Sequence, residues 1–170
     1  MKRLYAPWRH KYVTKQDQEP EKQLLNDCVF CDNFSQIDDK VGLILKRLEH
    51  SVIVLNKYPY NAGHLMVLPY DHKPTLKDLS PAMRSEMIEA VSTCTRLLEE
   101  TLNCQGINVG INEGVASGGG IPSHLHIHIV PRWQGDTSFL ATTAHTNIIC
   151  SDLLLVYDDL KKWLDQNIPG

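Results

Sequence analysis

Histidines 124, 126 and 128 alternate with Leu125, Ile127 and Ile129 in the segment His124-Leu125-His126-Ile127-His128-Ile129-Val130. On a β-strand, side chains alternate faces with a period of two. The three imidazoles therefore share one face, and the aliphatic residues between them point into a core. Imidazole is the side chain best suited to nucleophilic, acid–base or metal work near neutral pH. Just upstream lies Asn112-Glu113-Gly114, followed by the glycine run Gly118-Gly119-Gly120 and then Ile121. Glycines let a backbone approach a ligand closely, and free amides in such a loop can cradle an anion. Beside a row of histidines, that anion reads as a phosphate. Asn112 offers an amide either to a phosphoryl group or to ordinary turn chemistry.

Cys28-Val29-Phe30-Cys31 is a second chemically suggestive pattern. One Cys-x-x-Cys supplies half of a tetrahedral zinc site. It can also be a redox dithiol, although no thioredoxin-like βαβ pattern surrounds it, or a pair of buried thiols. The chain has five cysteines, an odd number at irregular spacing, which does not describe a disulfide framework. Cys94, Cys104 and Cys150 read as core or incidental thiols. His10, His50 and His145 have no evident partners.

Positioning these groups needs a sheet. Residues 41–47 and 51–56 are apolar and β-branched around Leu48-Glu49-His50, which predicts a hairpin. Residues 64–69 predict a third strand after the turn Asn61-Ala62-Gly63, residues 106–112 a fourth and residues 124–131 a fifth. Ser80 as N-cap with Pro81 behind it starts a helix. Its Met83, Met87, Val91, Cys94, Leu98 and Leu102 form one buried stripe. A final helix spans about Ser151 to Gln166, with Leu153, Val156, Tyr157, Leu160 and Leu164 on one face. Hairpin-connected strands with helices between and after them predict an α+β domain on a mainly antiparallel five-stranded sheet, with a long central helix and a C-terminal helix. Residues 4–13 carry Tyr5, Trp8, Tyr12 and Val13 and read as an arm, and residues 14–27 as a polar loop.

The chain has 170 residues, 42% of them hydrophobic and 22% charged, which suits one globular domain. Its formal net charge of −3 excludes the basic excess of a phosphate-tracking nucleic-acid binder. No apolar run approaches the length of a membrane span, and the N-terminus lacks a secretory apolar region. A cytoplasmic location is the expectation.

The histidine segment resembles the signature of the histidine triad (HIT) family of nucleotide hydrolases and transferases. Asn56-Lys57-Tyr58-Pro59-Tyr60-Asn61-Ala62-Gly63-His64 resembles that family's strand–turn–strand with an additional active-site histidine. Pro69-Tyr70-Asp71-His72 and Asn112-Glu113-Gly114 resemble two further segments, so that the likeness covers residues 28 to 132. Ala6-Pro7-Trp8-Arg9, Pro131-Arg132-Trp133, Gly135-Asp136 and Phe139 are similar to a longer microbial branch that includes diadenosine tetraphosphate phosphorylases. The resemblance divides the chain into an arm and loop (1–27), a catalytic domain (28–135) and a C-terminal extension whose helix packs on it (136–170).

The resemblance implies nucleotidyl transfer from a dinucleoside polyphosphate through a covalent nucleotidyl-histidine, with no catalytic cofactor. His126 becomes the nucleophile, His128 and His64 its partners around the phosphate, and Asn112 a contact to the phosphoryl group. Asn56 would hold ribose hydroxyls and Phe30 would wall the base pocket. Many members carry Gln-Ser or Gln-Thr where this chain has Gly120-Ile121, so backbone amides from Gly119 to Ile121 must replace those side chains. In some bacterial members a Cys-x-x-Cys pair binds structural zinc with two histidines at positions matching His72 and His124. The resemblance further implies a homodimer, a nucleotide substrate, and water or inorganic phosphate as acceptor.

Other readings stand beside this one. The runner-up within the family is a nucleoside phosphoramidate hydrolase. A metal-dependent hydrolase would use the His-x-His-x-His face as ligands. A nucleotide-binding regulator would bind without turnover.

Overall fold

Five antiparallel strands form one sheet in the computed structural model, which describes residues 28–136 and 151–168. They are β1 (Ile44–Arg47), β2 (Ser51–Leu55), β3 (Leu65–Pro69), β4 (Gly106–Ile111) and β5 (Ile127–Arg132). Their spatial order is β1-β2-β3-β5-β4, which seats β5, with His128, between β3 and β4. The expected arm and polar loop, together with Phe139, His145 and Cys150, lie outside the described residues.

Strands β2 and β3 are buried at every position, as their unbroken apolar sequences require when both faces are covered. On one face, Ile53, Leu55, Leu65, Val67, Leu125, Ile127 and Ile129 form the main core with the long helix α2 (Pro81–Leu102) and the C-terminal helix α3 (Leu153–Asn167). On the other face, Val52, Val54, Met66 and Leu68 meet Phe30, Phe34 and Tyr70. That second, thinner layer carries the histidines.

Helix α2 starts as its sequence dictates. Ser80 caps it by accepting a hydrogen bond from the Met83 amide at 3.2 Å. It ends where Asn103 turns left-handed. Met87, Val91, Cys94 and Leu98 are buried as expected, joined by Ala90 and Leu97. Helix α3 is capped by Asp152 and buries Val156, Tyr157, Leu160 and Leu164. The Tyr157 hydroxyl donates to the Ile44 carbonyl at 2.9 Å, tying the helix to β1. Trp163 packs within the chain, its Nε1 donating to Glu100 Oε2 at 2.9 Å.

Two differences from the sequence-based expectation bear on the site. Strand β5 begins at Ile127 rather than at 124, because the chain from His124 to His126 follows the segment after β3 instead of its ladder. There the Leu125 amide donates to the Lys73 carbonyl at 2.7 Å. The second difference is a short helix, α1 (Val29–Phe34), with Cys28 as its N-cap. Six residues carry too little periodicity to signal a helix.

Candidate active site and metal-ligand cluster

The alternation holds where it matters. Leu125, Ile127 and Ile129 are fully buried in the main core, and the three histidines project toward the second face. Their environments then diverge.

His126 is buried, and its Nδ1 lies 2.9 Å from the carbonyl oxygen of His124. A carbonyl can only accept, so Nδ1 carries the proton and Nε2 holds a free lone pair. The His128 ring stands nearly perpendicular to it, with centroids 4.6 Å apart. Phe30 covers the other side at 5.3 Å from His126 and 5.5 Å from His124. Phe30 therefore both packs in the small cluster and walls the nucleophile candidate.

His128 and His64 form a directional pair. The Tyr60 backbone N–H donates to His64 Nδ1 at 3.2 Å, which makes Nδ1 an acceptor and places the ring proton on Nε2. His64 Nε2 lies 3.0 Å from His128 Nδ1 and donates to it. His128 must then carry its proton on Nε2. The His124 carbonyl thus sets the tautomer of His126, and the Tyr60 amide, together with the Asn56 side-chain amide 3.2 Å from the same Nδ1, sets that of His64 and, through it, His128. Burial, reinforced by the imidazoles of His128 and His126, pushes His64 down to about 3. Burial and His126 push His128 down to about 4. Both rings are neutral at physiological pH, as the hydrogen-bond chain requires.

The surrounding strands leave room there. His128 pairs across the sheet with Met66 on β3 and with Gly110 on β4, where an added Cβ would meet open space. The β4–β5 ladder ends at the pair Ile111–Ile127, so Asn112 and His126 are the residues that immediately follow and precede its last rung. Gly119 folds back against Asn112, since a Cβ there would lie 3.2 Å from the Asn112 Cβ. Among Gly118, Gly119 and Gly120 the left-handed turn falls at Gly118, with φ 85°. A Cβ at Gly120 would likewise meet open space, and Ile121 follows on the approach to His124. Asn56 is engaged locally: its Nδ2 lies 3.2 Å from His64 Nδ1, and its Oδ1 accepts from the Tyr58 amide at 2.9 Å. A ribose contact would use its remaining hydrogen-bonding capacity.

Tyr60 is the residue that sequence reasoning passed over. Its amide orients His64, and its ring lies 4.6 Å from His64 and 5.7 Å from His128. The available signal was an aromatic four residues before His64 in a tight turn.

His124 belongs elsewhere. Its Nε2 donates to the Pro69 carbonyl at 2.9 Å, which leaves Nδ1 unprotonated. That Nδ1 lies 3.5 Å from Cys28 Sγ and 3.6 Å from Cys31 Sγ, and His72 Nδ1 lies 3.3 Å from Cys31 Sγ. All four ligand atoms fall within 4.8 Å of one another. A tetrahedral zinc with Zn–S of about 2.3 Å and Zn–N of about 2.1 Å separates sulfur from nitrogen by about 3.6 Å. The observed spacings fit that tetrahedron. The carbonyl holding the far nitrogen of His124 is the outer partner a metal-bound imidazole usually has. Burial and the neighbouring Cys28 push the Cys31 thiol up to about 11, a proton that a dication among these ligands would displace. With His124 directed at the cysteines, the three alternate histidines do not converge on one common centre, which disfavours the catalytic-metal reading of that face.

An alternating histidine row, a fourth histidine bonded to it and a glycine-rich loop beside it mark the candidate site on an α+β fold whose family the comparisons identify. The family model of the HIT domain matches residues 38–135, and the chain belongs to that family. The AP-4-A phosphorylase of Mycobacterium tuberculosis is 34% identical over 151 residues, spanning 88% of this chain and 77% of that protein. The asymmetrical bis(5'-nucleosyl)-tetraphosphatase of Schizosaccharomyces pombe is 33% identical over 95 residues, 56% of this chain and 52% of that protein. A crystal structure of a Zn-bound histidine triad family protein from Mycobacterium smegmatis superposes with a TM-score of 0.65 at 27% identity, covering 83% of this chain and 95% of that one. Among the described residues, no helix is long and apolar enough to cross a membrane.

Proposed function

We propose that this chain transfers a nucleotidyl group from a dinucleoside polyphosphate of the diadenosine tetraphosphate type to inorganic phosphate or water, with His126 as nucleophile. The observation that carries this reading is the hydrogen bond from His126 Nδ1 to the His124 carbonyl. It leaves the Nε2 lone pair available to attack an α-phosphorus. As the N–P bond forms, the bond from phosphorus to the bridging oxygen breaks and the nucleoside polyphosphate departs as an anion. The adduct ring keeps its Nδ1 proton and becomes cationic, and the His124 carbonyl stabilises that charge. His128, with its proton on Nε2, donates toward the oxygen that gains negative charge. Splitting one displacement into two is the usual gain of covalent catalysis.

In the second half, an oxygen of the acceptor bonds to phosphorus, the N–P bond breaks and its electron pair returns to Nε2. Phosphate as acceptor gives a nucleoside diphosphate; water gives a monophosphate and releases its proton. The 34% identity to a protein named AP-4-A phosphorylase supports the polyphosphate substrate and favours phosphate.

Cys28, Cys31, His72 and His124 would hold zinc, which when bound would cross-link α1, the segment after β3 and the entry to β5. Homodimerisation fits the outer edge strand β4, whose residues are mostly exposed and where Val109 is 50% exposed. Pairing of this edge with a second copy would cover it.

The test uses diadenosine tetraphosphate labelled at the α-phosphorus, with and without inorganic phosphate. Acid-labile label on His126 is expected, with ADP appearing only when phosphate is present. Active protein that never labels His126 overturns the covalent route. AMP without phosphate would move the assignment to hydrolysis, and cleavage of nucleoside phosphoramidates alone to the family's phosphoramidate hydrolases. Tight nucleotide binding without any turnover would leave a regulator.

A further inference from the structure

We infer that Asn61 and Asp136 form a clamp that positions His64, and through it His128, for the transfer step. Neither residue reaches the histidine rings; both act on the turn that carries Tyr60. The side-chain amide of Asn61 donates to Asp136 Oδ2 at 2.9 Å and to the Pro131 carbonyl at 3.0 Å. Its own carbonyl accepts from the His64 amide at 3.1 Å. Asn61 is thus fixed at both ends, joining the β2–β3 turn to the exit of β5.

Asp136 is built to hold that join. Arg132 donates to it through Nε at 2.6 Å and Nη2 at 2.8 Å, and the Trp133 amide adds a bond at 3.3 Å. The remaining guanidinium nitrogen, Nη1, donates to Asn108 Oδ1 on β4 at 2.7 Å. A bidentate arginine–carboxylate pair restricts direction as well as distance. Only 13% of the Asp136 side chain is exposed, and the Arg132 guanidinium holds its carboxyl well below the usual carboxylate range. A shielded carboxylate that holds a loop asparagine as well as an arginine is more than a surface ion pair needs.

The geometric consequence falls on Tyr60, the residue immediately before Asn61. Its N–H, beside the Asn56 side-chain amide, donates to His64 Nδ1 and helps to keep the ring proton on Nε2, from where it bonds to His128. If Asn61 is released, the turn loses its tie to β5 and His64 loses one of the two donors to its Nδ1, which weakens its preference for the Nε2 tautomer. In the other tautomer His128 loses the donor that directs its own proton toward the substrate. Asn61 and Asp136 are positioning residues, not catalytic ones.

The kinetic part of the test rests on the transfer chemistry proposed above, whereas its spectroscopic part does not. Nitrogen-15 histidine spectra of the full chain should show His64 and His128 each protonated on Nε2. Asn61→Ala and Asp136→Ala should mix both tautomers, lower kcat about tenfold and change KM less, because His128 acts on charge that develops in the transition state. Asp136→Asn keeps an oxygen for Asn61 and should recover most of the wild-type pattern. Should Asn61→Ala fail to fold, Asp136→Ala and Asp136→Asn carry the comparison. Unchanged His64 and His128 signals in the alanine variants, with or without a lower melting temperature, would overturn the clamp. Tautomer mixing in a protein that turns over no nucleotide would sustain the clamp and overturn the proposed function.

Discussion

The backbone carbonyl of His124 accepts the Nδ1 proton of His126 at 2.9 Å while the His124 ring, held by Pro69, turns its own Nδ1 to Cys28 and Cys31. One residue therefore belongs to the metal-ligand cluster through its side chain and sets the tautomer of the proposed nucleophile through its main chain. Phe30, between the two cysteines, adds a second link by packing on His126.

Metal removal should consequently act on both stability and turnover. The protein as purified should contain about one zinc per chain. Chelation, or Cys31→Ser, should lower the melting temperature by about 10 °C, equivalent to roughly 3 kcal/mol in a chain of this size. Turnover should decline in parallel with unfolding. Metal analysis with differential scanning fluorimetry checks this. Immediate loss of activity at an unchanged melting temperature would instead identify a catalytic metal.

Acid should destabilise the fold from about pH 6.5 downward. Unfolded histidine titrates near 6.5, whereas His64 and His128 in the fold remain neutral to about 3 and about 4. Across that window the unfolded chain binds more protons, so stability is complete above about 6.5 and falls as the pH drops. Urea denaturation at pH 7.5, 6, 5 and 4.5 should show this slope, flattened in the His64→Gln, His128→Gln double variant. Identical slopes in the two proteins would remove these rings as its source.

Gly63→Ala should damage both fold and site. Gly63 sits at φ 80°, and a Cβ there would collide with Leu102 Cδ1 at the end of α2. The combined left-handed backbone and overpacking should cost about 1–3 kcal/mol. Because Gly63 immediately precedes His64, the nitrogen-15 signals of His64 should shift as well. A melting curve and spectrum matching wild type would contradict this.

Tyr157→Phe should weaken the docking of α3 without touching the chemistry. The variant loses the bond from the buried hydroxyl to the Ile44 carbonyl, worth about 1 kcal/mol, or roughly 2–4 °C in melting temperature. Steady-state kinetics at 25 °C should be unchanged, which separates this helix from the site.

Much of the architecture was legible in local pattern. The alternation of His124 to Ile129 set which side chains are core and which face outward, because strand geometry has a period of two. Ser80-Pro81 set the start of α2, and the aliphatic stripes of α2 and α3 set their buried faces. The motif spacing also named the histidines and cysteines of the site, through resemblance to a family to which the chain belongs.

Other features have no local signature. Six residues are too few to announce α1, and departure of the His124 segment from the ladder depends on Lys73, a residue distant in sequence. Tyr60 and the Asn61–Asp136 join matter through what the folded chain brings beside them. Above all, periodicity could place three imidazoles on a face but could not say which nitrogen of each bears the proton. That is decided by partners from elsewhere: Pro69 for His124, Tyr60 by way of His64 for His128, and for His126 a carbonyl whose direction depends on where the chain bends. Side-chain face is a property of one strand; tautomer and role are properties of the assembled neighbourhood, and only the tertiary structure supplies it.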